Sequence, residues 1–512
     1  MVSTQRLPAG SPAITELFAQ ILAESPDAEM LVDGELRLSF ADWWHQSGVV
    51  AGGLAIFGVG VGDVVCLLLP SSAEFAVCYL AAMRLGAIIS ALNPRLGGNE
   101  ISHLLITLAP KVVVTDQPAR VPEGAAGHIL APAALAASAE PVTGCAATPA
   151  GSPAVIVWTT GTTGMPKGAW FDHECLQTIA RNIGPLSALG DRKLMPVPFA
   201  HAAFMTRVYD QLMYRVALIL TPREWTASSM LELLVRERVT VGQGVPTQWE
   251  KLITLDELTT ADLSRLRLVS TGAGRVPPSL VLAMRERLGC TVVVRYASTE
   301  LPLALGTGLH DPVETVSATV GRPLGDVELE VRDDAGRTVP AGSQGRVFLR
   351  SRGSMRGYWR DPDRTAETMA PDGWITTSDE GVLDPAGNLT IIGRADDAYI
   401  RGGYNVQPSE VERALLTHPG IQRAAVVGSP APVIGEIGVA FVVPAEGSPA
   451  PGTHEVRDWC RDLIADYKAP DLVVAVDDLP VNATYKLDRT QLRRMAAIAV
   501  AEQPARPRSI RK

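Results

Sequence analysis

The sequence predicts an α/β protein of several domains: a large N-terminal region of α/β layers that closes with a β-rich subdomain, followed by a small α+β unit. Three observations carry this. The chain has 512 residues, more than one core usually supports, and about 150 residues per domain gives two to four units. Helix-like and strand-like stretches alternate through its first half. From residue 319 onward short strands with turn punctuation replace them, and a compact mixed pattern follows Arg394.

In chain order, the pattern predicts a helix over 51–57, a buried strand over 64–69, a helix over 74–85 and a short strand over 111–115. Gly58, Gly60 and Gly62 fail the dinucleotide fingerprint, which would need glycine at Asp63, so they predict a helix-to-strand turn. Residues 118–153 are rich in Ala, Pro and Gly and predict a surface connection. Strands are expected over 327–331, 345–349 and 389–392, with turns at Asp333–Gly336 and Pro385–Asn388 between them. A boundary at 394–396 divides an N-terminal domain, 1–394, from a C-terminal domain, 395–500, of about 100 residues that could fold as a unit. In the latter, helix, strand, strand and helix are expected before Leu487. Residues 501–512, basic and broken by prolines, predict a frayed tail.

Composition narrows the function. Apolar residues make up 46% and charged residues 20%, which excludes wholesale disorder. A net charge of −9 argues against nucleic acid as a partner, so any phosphate affinity must be local. Cys66, Cys78, Cys145, Cys175, Cys290 and Cys460 form no Cys-x-x-Cys pair, which disfavours a zinc cluster or a disulfide framework and fits a reducing compartment. The N-terminus lacks the apolar core of a signal peptide, and the glycine-rich run 48–62 falls short of the roughly 18 apolar residues of a membrane span. A cytoplasmic protein with no transmembrane segment is expected.

The most informative stretch is Thr159-Thr160-Gly161-Thr162-Thr163-Gly164-Met165-Pro166-Lys167-Gly168, which follows the β-branched run 154–158. A strand opening into hydroxyls, glycines and one lysine offers backbone N–H groups, O–H donors and a cation to a phosphate chain. It is not a Walker A loop, because Pro166 stands where that motif needs its second glycine.

With this loop, four further stretches fall in order: Tyr296-Ala297-Ser298-Thr299-Glu300, Gly373 to Asp379, Gly393-Arg394-Ala395-Asp396-Asp397, and Pro480 to Lys486. Together they resemble the adenylate-forming superfamily of acyl-CoA synthetases, adenylation domains and luciferases, over nearly the whole chain. The chemistry suits the residue types. A carboxylate becomes electrophilic once its oxygen is made a leaving group by attack on the α-phosphorus of ATP, and catalysis is then positioning plus charge neutralisation.

The resemblance implies roles. Thr159 to Gly164 and Lys167 would cradle the β- and γ-phosphates, Thr299 would meet the α-phosphate, and Glu300 with Thr159 would hold Mg²⁺. Tyr296, Ala297 and the turn Gly272-Ala273-Gly274 would lie along the nucleotide. Asp379 and Arg394 would take the ribose hydroxyls. Lys486 would bridge the substrate carboxylate and the α-phosphate, with Asn405 a second catalytic candidate. Asp396 would be the hinge of a mobile C-terminal domain, and Gly402 and Gly403 would pack against the pantetheine of CoA. His201, Phe204, Met205, Gly244, Val245 and Leu303 would wall the acyl pocket, with Pro246 and Thr247 beside them. Ala297, Ser378 and Tyr485 stand where the family usually has glycine.

The implied activity is a two-step ligation: a carboxylic acid, fatty or otherwise hydrophobic, plus MgATP gives acyl-AMP and pyrophosphate, and CoA then takes the acyl group. Fatty acid metabolism is the implied setting. An acyl-AMP ligase that loads a carrier protein in trans, a catalytically silent nucleotide- or acyl-binding regulator, and a homodimeric assembly all stay open.

Overall fold

The computed structural model of the chain describes residues 14–137, 140–149, 151–159, 166–272, 274, 276–401, 404–431, 434–461, 463–482 and 486–502. They form two compact units, one of residues up to 329 with 348–376, the other of 330–347 with 377 onward. The segment 330–347, with 377–394, thus groups with the C-terminal residues in this division.

The first unit has two sheets. The larger runs from Arg322–Pro323 through Leu305–Gly306, Thr291–Tyr296, Leu268–Gly272, Val241–Gln243, Arg192–Met195, Ala217–Leu220 and Glu29–Asp33 to Leu36–Ser39. Its six inner strands are parallel, and antiparallel strands close both edges. The second runs from Gly357–Tyr358 through Gly168–Asp172, Pro153–Trp158, Ile88–Ala91, Val64–Leu68 and Val112–Thr115 to His128–Leu130. Side chains from both sheets, among them Val65, Val155, Leu218, Leu268 and Val293, merge with those of helices Phe40–Ile56 and Ala73–Arg84 into one buried cluster. Each such aliphatic side chain contributes about 1.5–3 kcal/mol.

Local chemistry sets the elements. Ser39 and Asp42 close a capping box at the start of Phe40–Ile56, and Ser72 caps Ala73–Arg84. Helix Phe40–Ile56 is longer than the 51–57 expected, because its first turns are anchored by that cap and by the buried Trp43, whose indole donates to the Ala76 carbonyl at 2.8 Å. Gly58 and Gly62 adopt positive φ in the turn to the next strand, as their spacing predicts.

The stretch 118–153 is a correction. It holds strand His128–Leu130, parallel to Val112–Thr115, and helix Pro132–Ala136. Its alanines and glycines hid a tight fit: a Cβ at Gly53 would overlap the carbonyl of Leu135, and Leu135 is buried.

The second unit holds the four-stranded order Glu328–Arg332, Gln344–Arg350, Ile375–Leu383, Leu389–Arg394, whose first strands begin or end in the other unit's residues. It also holds a five-stranded sheet in which Tyr399–Arg401, Tyr404–Val406 and Leu472–Ala475 join the long hairpin Ile421–Ala431 and Gly435–Pro444. The expected helix, strand, strand, helix pattern is therefore incomplete. Val426, Ala440 and Val442 pack on helices Pro408–Leu415 and Thr453–Arg461, and Ala425, Val427 and Phe441 pack on Arg489–Ala501.

Candidate active site

In the first unit the phosphate-loop sequence connects two antiparallel strands, with Trp158 opposite Gly168. Its base is closed twice. The Thr159 amide donates to the Lys167 carbonyl at 2.8 Å, and the Lys167 amide donates to Thr159 Oγ1 at 3.1 Å. Gly168 allows this closure, since a Cβ there would meet Ile156 at 2.8 Å. Thr160, Gly161, Thr162, Thr163 and Gly164 lie outside the described residues.

Lys167 Nζ stands 5.0 Å from the centre of the Tyr358 ring, within cation–π range. The Tyr358 hydroxyl donates to Glu300 Oε1 at 2.7 Å. Burial, followed by the charge of Glu300, raises the Tyr358 pKa well above the usual phenol value, so it stays a donor. Glu300 and Thr299 sit in a turn that Ser298 ties to Leu301 through two bonds of 3.2 Å, and the Glu300 carbonyl accepts from the Met355 amide at 2.8 Å. Tyr296 ends the strand just before this turn, and Ala297 is exposed. The structure therefore brings Thr159, Lys167 and Glu300 together, through a tyrosine that the motifs do not include.

Gly272 ends its strand opposite Arg295, and a Cβ there would overlap the Arg295 carbonyl. Gly274 lies beside Pro246, which a Cβ there would meet at 3.7 Å; Ala273 lies outside the described residues. Gly244 backs onto Trp249, and Val245 caps helix Pro246–Ile253. His201 caps helix Ala202–Met205, its Nδ1 accepting from the Ala203 amide at 3.1 Å. Phe204 stacks on Phe199 at 3.7 Å, with Phe75 and Tyr79 edge-on. Met205 and Leu303 are buried, and the Met205 carbonyl accepts from Tyr79.

In the second unit Asp379 and Arg394 face each other across antiparallel strands, with Nε 3.8 Å from Oδ1. The Thr377 hydroxyl accepts from the Asp379 amide at 3.1 Å. Lys486 is tied twice to Asn482: the Asn482 amide donates to its carbonyl at 2.7 Å, and its own amide donates to Asn482 Oδ1 at 3.1 Å. Burial, and then the charge of Arg394, lowers the Lys486 pKa below the usual lysine value. Asn405 lies in strand Tyr404–Val406. Gly402, Gly403 and Tyr485 lie outside the described residues. Asp396 is exposed and 3.7 Å from Arg394. Its neighbour Asp397 is buried and ion-paired to Arg489 at 3.0 Å and Arg493 at 3.2 Å.

In the first unit the hydroxyls, lysine and carboxylate suit a polyphosphate; in the second, taken by itself, the acid–base pair suits a diol. A family model described as AMP-binding enzyme matches residues 18–359, and one described as AMP-binding enzyme C-terminal domain matches 410–486. The chain belongs to the AMP-binding enzyme family. It is 32% identical over 481 residues to the feruloyl-CoA synthase of an Amycolatopsis species, spanning 92% of this chain and 96% of that protein. It is 30% identical over 487 residues to the long-chain-fatty-acid–CoA ligase FadD13 of Mycobacterium tuberculosis, spanning 91% and 94%. ATP-bound MatB from Rhodopseudomonas palustris superposes with a TM-score of 0.85 at 27% identity, over 94% of this chain and 98% of that one.

This AMP-binding enzyme is an acid–thiol ligase of the AMP-forming type, which uses ATP and CoA. No described helix is long and apolar enough to cross a membrane. Among the described residues no group of three or more His, Cys, Asp or Glu could hold a metal by itself. The hard oxygens of Glu300 and Thr159 still fit Mg²⁺, which binds through one or two carboxylates plus substrate phosphates. The residue the motifs missed, Tyr358, left only a weak signal, a tyrosine between Arg356 and Arg360. Its role becomes visible only where the fold brings it to Glu300.

Proposed function

We propose that this enzyme activates a hydrophobic carboxylic acid, with an aliphatic or an aromatic body, and transfers it to CoA in the cytoplasm. The closed base of the phosphate loop beside the Tyr358–Glu300 pair is the observation that carries this reading. Thr159 to Gly164 and Lys167 bind the β- and γ-phosphates, and Thr299 binds the α-phosphate. Glu300 and Thr159 would hold Mg²⁺, which would supply charge neutralisation on the phosphate oxygens. Asp379 and Arg394 bind the ribose, and Tyr296, Ala297 and Gly272 to Gly274 bind the adenine.

In the first step a carboxylate oxygen attacks the α-phosphorus and pyrophosphate leaves. Lys486 stands between the two anions as they meet, which offsets their repulsion where it is greatest. Asn405 orients the same phosphate. In the second step the CoA sulfur attacks the acyl carbon and AMP leaves, with Gly402 and Gly403 lying along the pantetheine. The backbone turns at Asp396 between the steps. His201, Phe204, Met205, Gly244, Val245 and Leu303 enclose the acyl group, and their largely apolar character supports a hydrophobic acid.

Pyrophosphate release with a panel of acids, with and without CoA, tests this reading. Turnover that needs both a hydrophobic acid and CoA is expected. Acyl-AMP that accumulates in the presence of CoA, or no ATP consumption with any acid, would overturn it.

A further inference from the structure

Strands Arg192–Met195 and Thr291–Tyr296 of the larger sheet and the helix Val208–Met213 together carry an unbalanced set of buried and partly buried charges. Asp210 is the one acid among Lys193, Arg207 and Arg295 in the described residues. It is fully engaged: Arg207 Nη2 donates to it at 2.7 Å, Lys193 Nζ at 3.2 Å, and the Ser187 hydroxyl donates to its other oxygen. The next acid, Asp191, is occupied by Arg267 and Thr240.

Arg295 has almost nothing. It lies in strand Thr291–Tyr296, is 9% exposed, and donates through Nη1 to the Thr307 carbonyl at 3.2 Å. Its Nε and Nη2 are buried without a partner, as is Nε of Arg207. The fold makes room for this side chain, because a Cβ at Gly306 would overlap its guanidinium. Burial, and then repulsion from Arg207, lowers the Arg295 pKa to about 10, which leaves it charged at neutral pH. Buried charge without a counter-charge is costly, and a guanidinium fork is shaped for a carboxylate.

The position is specific. Arg295 directly precedes Tyr296 and the turn of Thr299 and Glu300, one residue deeper along the strand. Arg207, Lys193 and Asp210 line a small cavity with Phe204 and Gln243, and Gln243 leads into Gly244 and Val245. We infer that Arg207 and Arg295 are specificity-determining residues that bind a second carboxylate of the acid substrate, at the end remote from the one activated.

This rests on the acid-activating reading above and narrows it to acids with an apolar body and two acidic ends. Two measurements separate the claims. The first is ATP-dependent pyrophosphate release with matched pairs: adipate and hexanoate, suberate and octanoate, sebacate and decanoate, terephthalate and 4-toluate. The second is calorimetric binding of the same free acids without ATP. For the native enzyme the diacid of at least one pair is expected to exceed its monoacid by about tenfold or more in kcat/KM. Arg295→Met should shrink that ratio about tenfold through KM, Arg295→Lys should restore part of it, and Arg207→Met should act as Arg295→Met does. Arg295→Met should also raise the melting temperature of the free protein, which loss of a merely structural residue would not do. Diacid binding that depends on Arg295, without pyrophosphate release, would uphold this site and overturn the activity. Equal use and equal binding of both members of every pair would overturn the site.

Discussion

Tyr358 and Glu300 meet through a 2.7 Å hydrogen bond although 58 residues separate them. The hydroxyl restrains the rotation of the Glu300 carboxylate, which is proposed above as a Mg²⁺ ligand. Tyr358→Phe keeps the ring beside Lys167 and removes only that restraint. Its expected cost is about 1 kcal/mol in the adenylation step, roughly fivefold in rate, with a higher Mg²⁺ requirement. Pyrophosphate release titrated with Mg²⁺ checks this, and an unchanged Mg²⁺ dependence would remove Tyr358 from the metal site.

Lys486→Ala should slow acyl-AMP formation by about a hundredfold to a thousandfold, the range for losing a group that stabilises developing charge. Thioester formation from synthetic acyl-AMP should survive. Because burial and Arg394 lower its pKa, adenylation should decline on the alkaline side earlier than an ordinary lysine would give. Equal losses in both half-reactions would contradict the assignment.

Asp172 links distant parts of the first unit. It caps helix His173–Asn182 through the Cys175 amide at 2.8 Å and accepts from Arg356 Nε at 2.7 Å. Burial pushes its pKa up, but the Arg356 and Cys175 hydrogen bonds outweigh this and leave it below the usual value. The native state therefore favours the ionised form. That stability is present above the unfolded aspartate pKa and is lost as pH falls through the lower native one. Asp172→Asn should cost about 2–4 kcal/mol at neutral pH and flatten the acid limb of a urea-stability profile. An acid limb unchanged by the substitution would refute the linkage.

Gly272→Ala places a methyl on the Arg295 carbonyl oxygen, which is backbone and cannot rotate away. A loss of about 1–3 kcal/mol is expected from overpacking, together with weaker ATP binding. Chemical denaturation and nucleotide titration measure the two effects, and a variant as stable as the parent would show that the strand end relaxes.

The layered α/β plan was legible because periodicity and glycine punctuation are local. Gly58 and Gly62 turn where their spacing places them, and the strands over 64–68 and 112–115 lie within a residue of expectation. Strand His128–Leu130 and helix Pro132–Ala136 were not legible, because elements this short carry no pattern and their order comes from distant partners, Val112–Thr115 for the strand and Gly53 for the helix. The site divides the same way. Thr159, Lys167, Thr299 and Glu300 stand in contiguous motifs, whereas Tyr358, Arg207 and Arg295 acquire meaning only from neighbours far along the chain. Asp397 was overlooked beside Asp396 because adjacent identical residues look interchangeable until one is seen to be buried.

That difference between the two aspartates has a mechanical side. Through Arg489 and Arg493, Asp397 clamps the terminal helix Arg489–Ala501 to the residue that follows the proposed pivot. A backbone rotation centred on Asp396 would carry that helix along as a stiff lever arm. Replacing Arg489 and Arg493 would strip Asp397 of the two ion-pair partners it has among the described residues, and with them the stiffness of that lever arm.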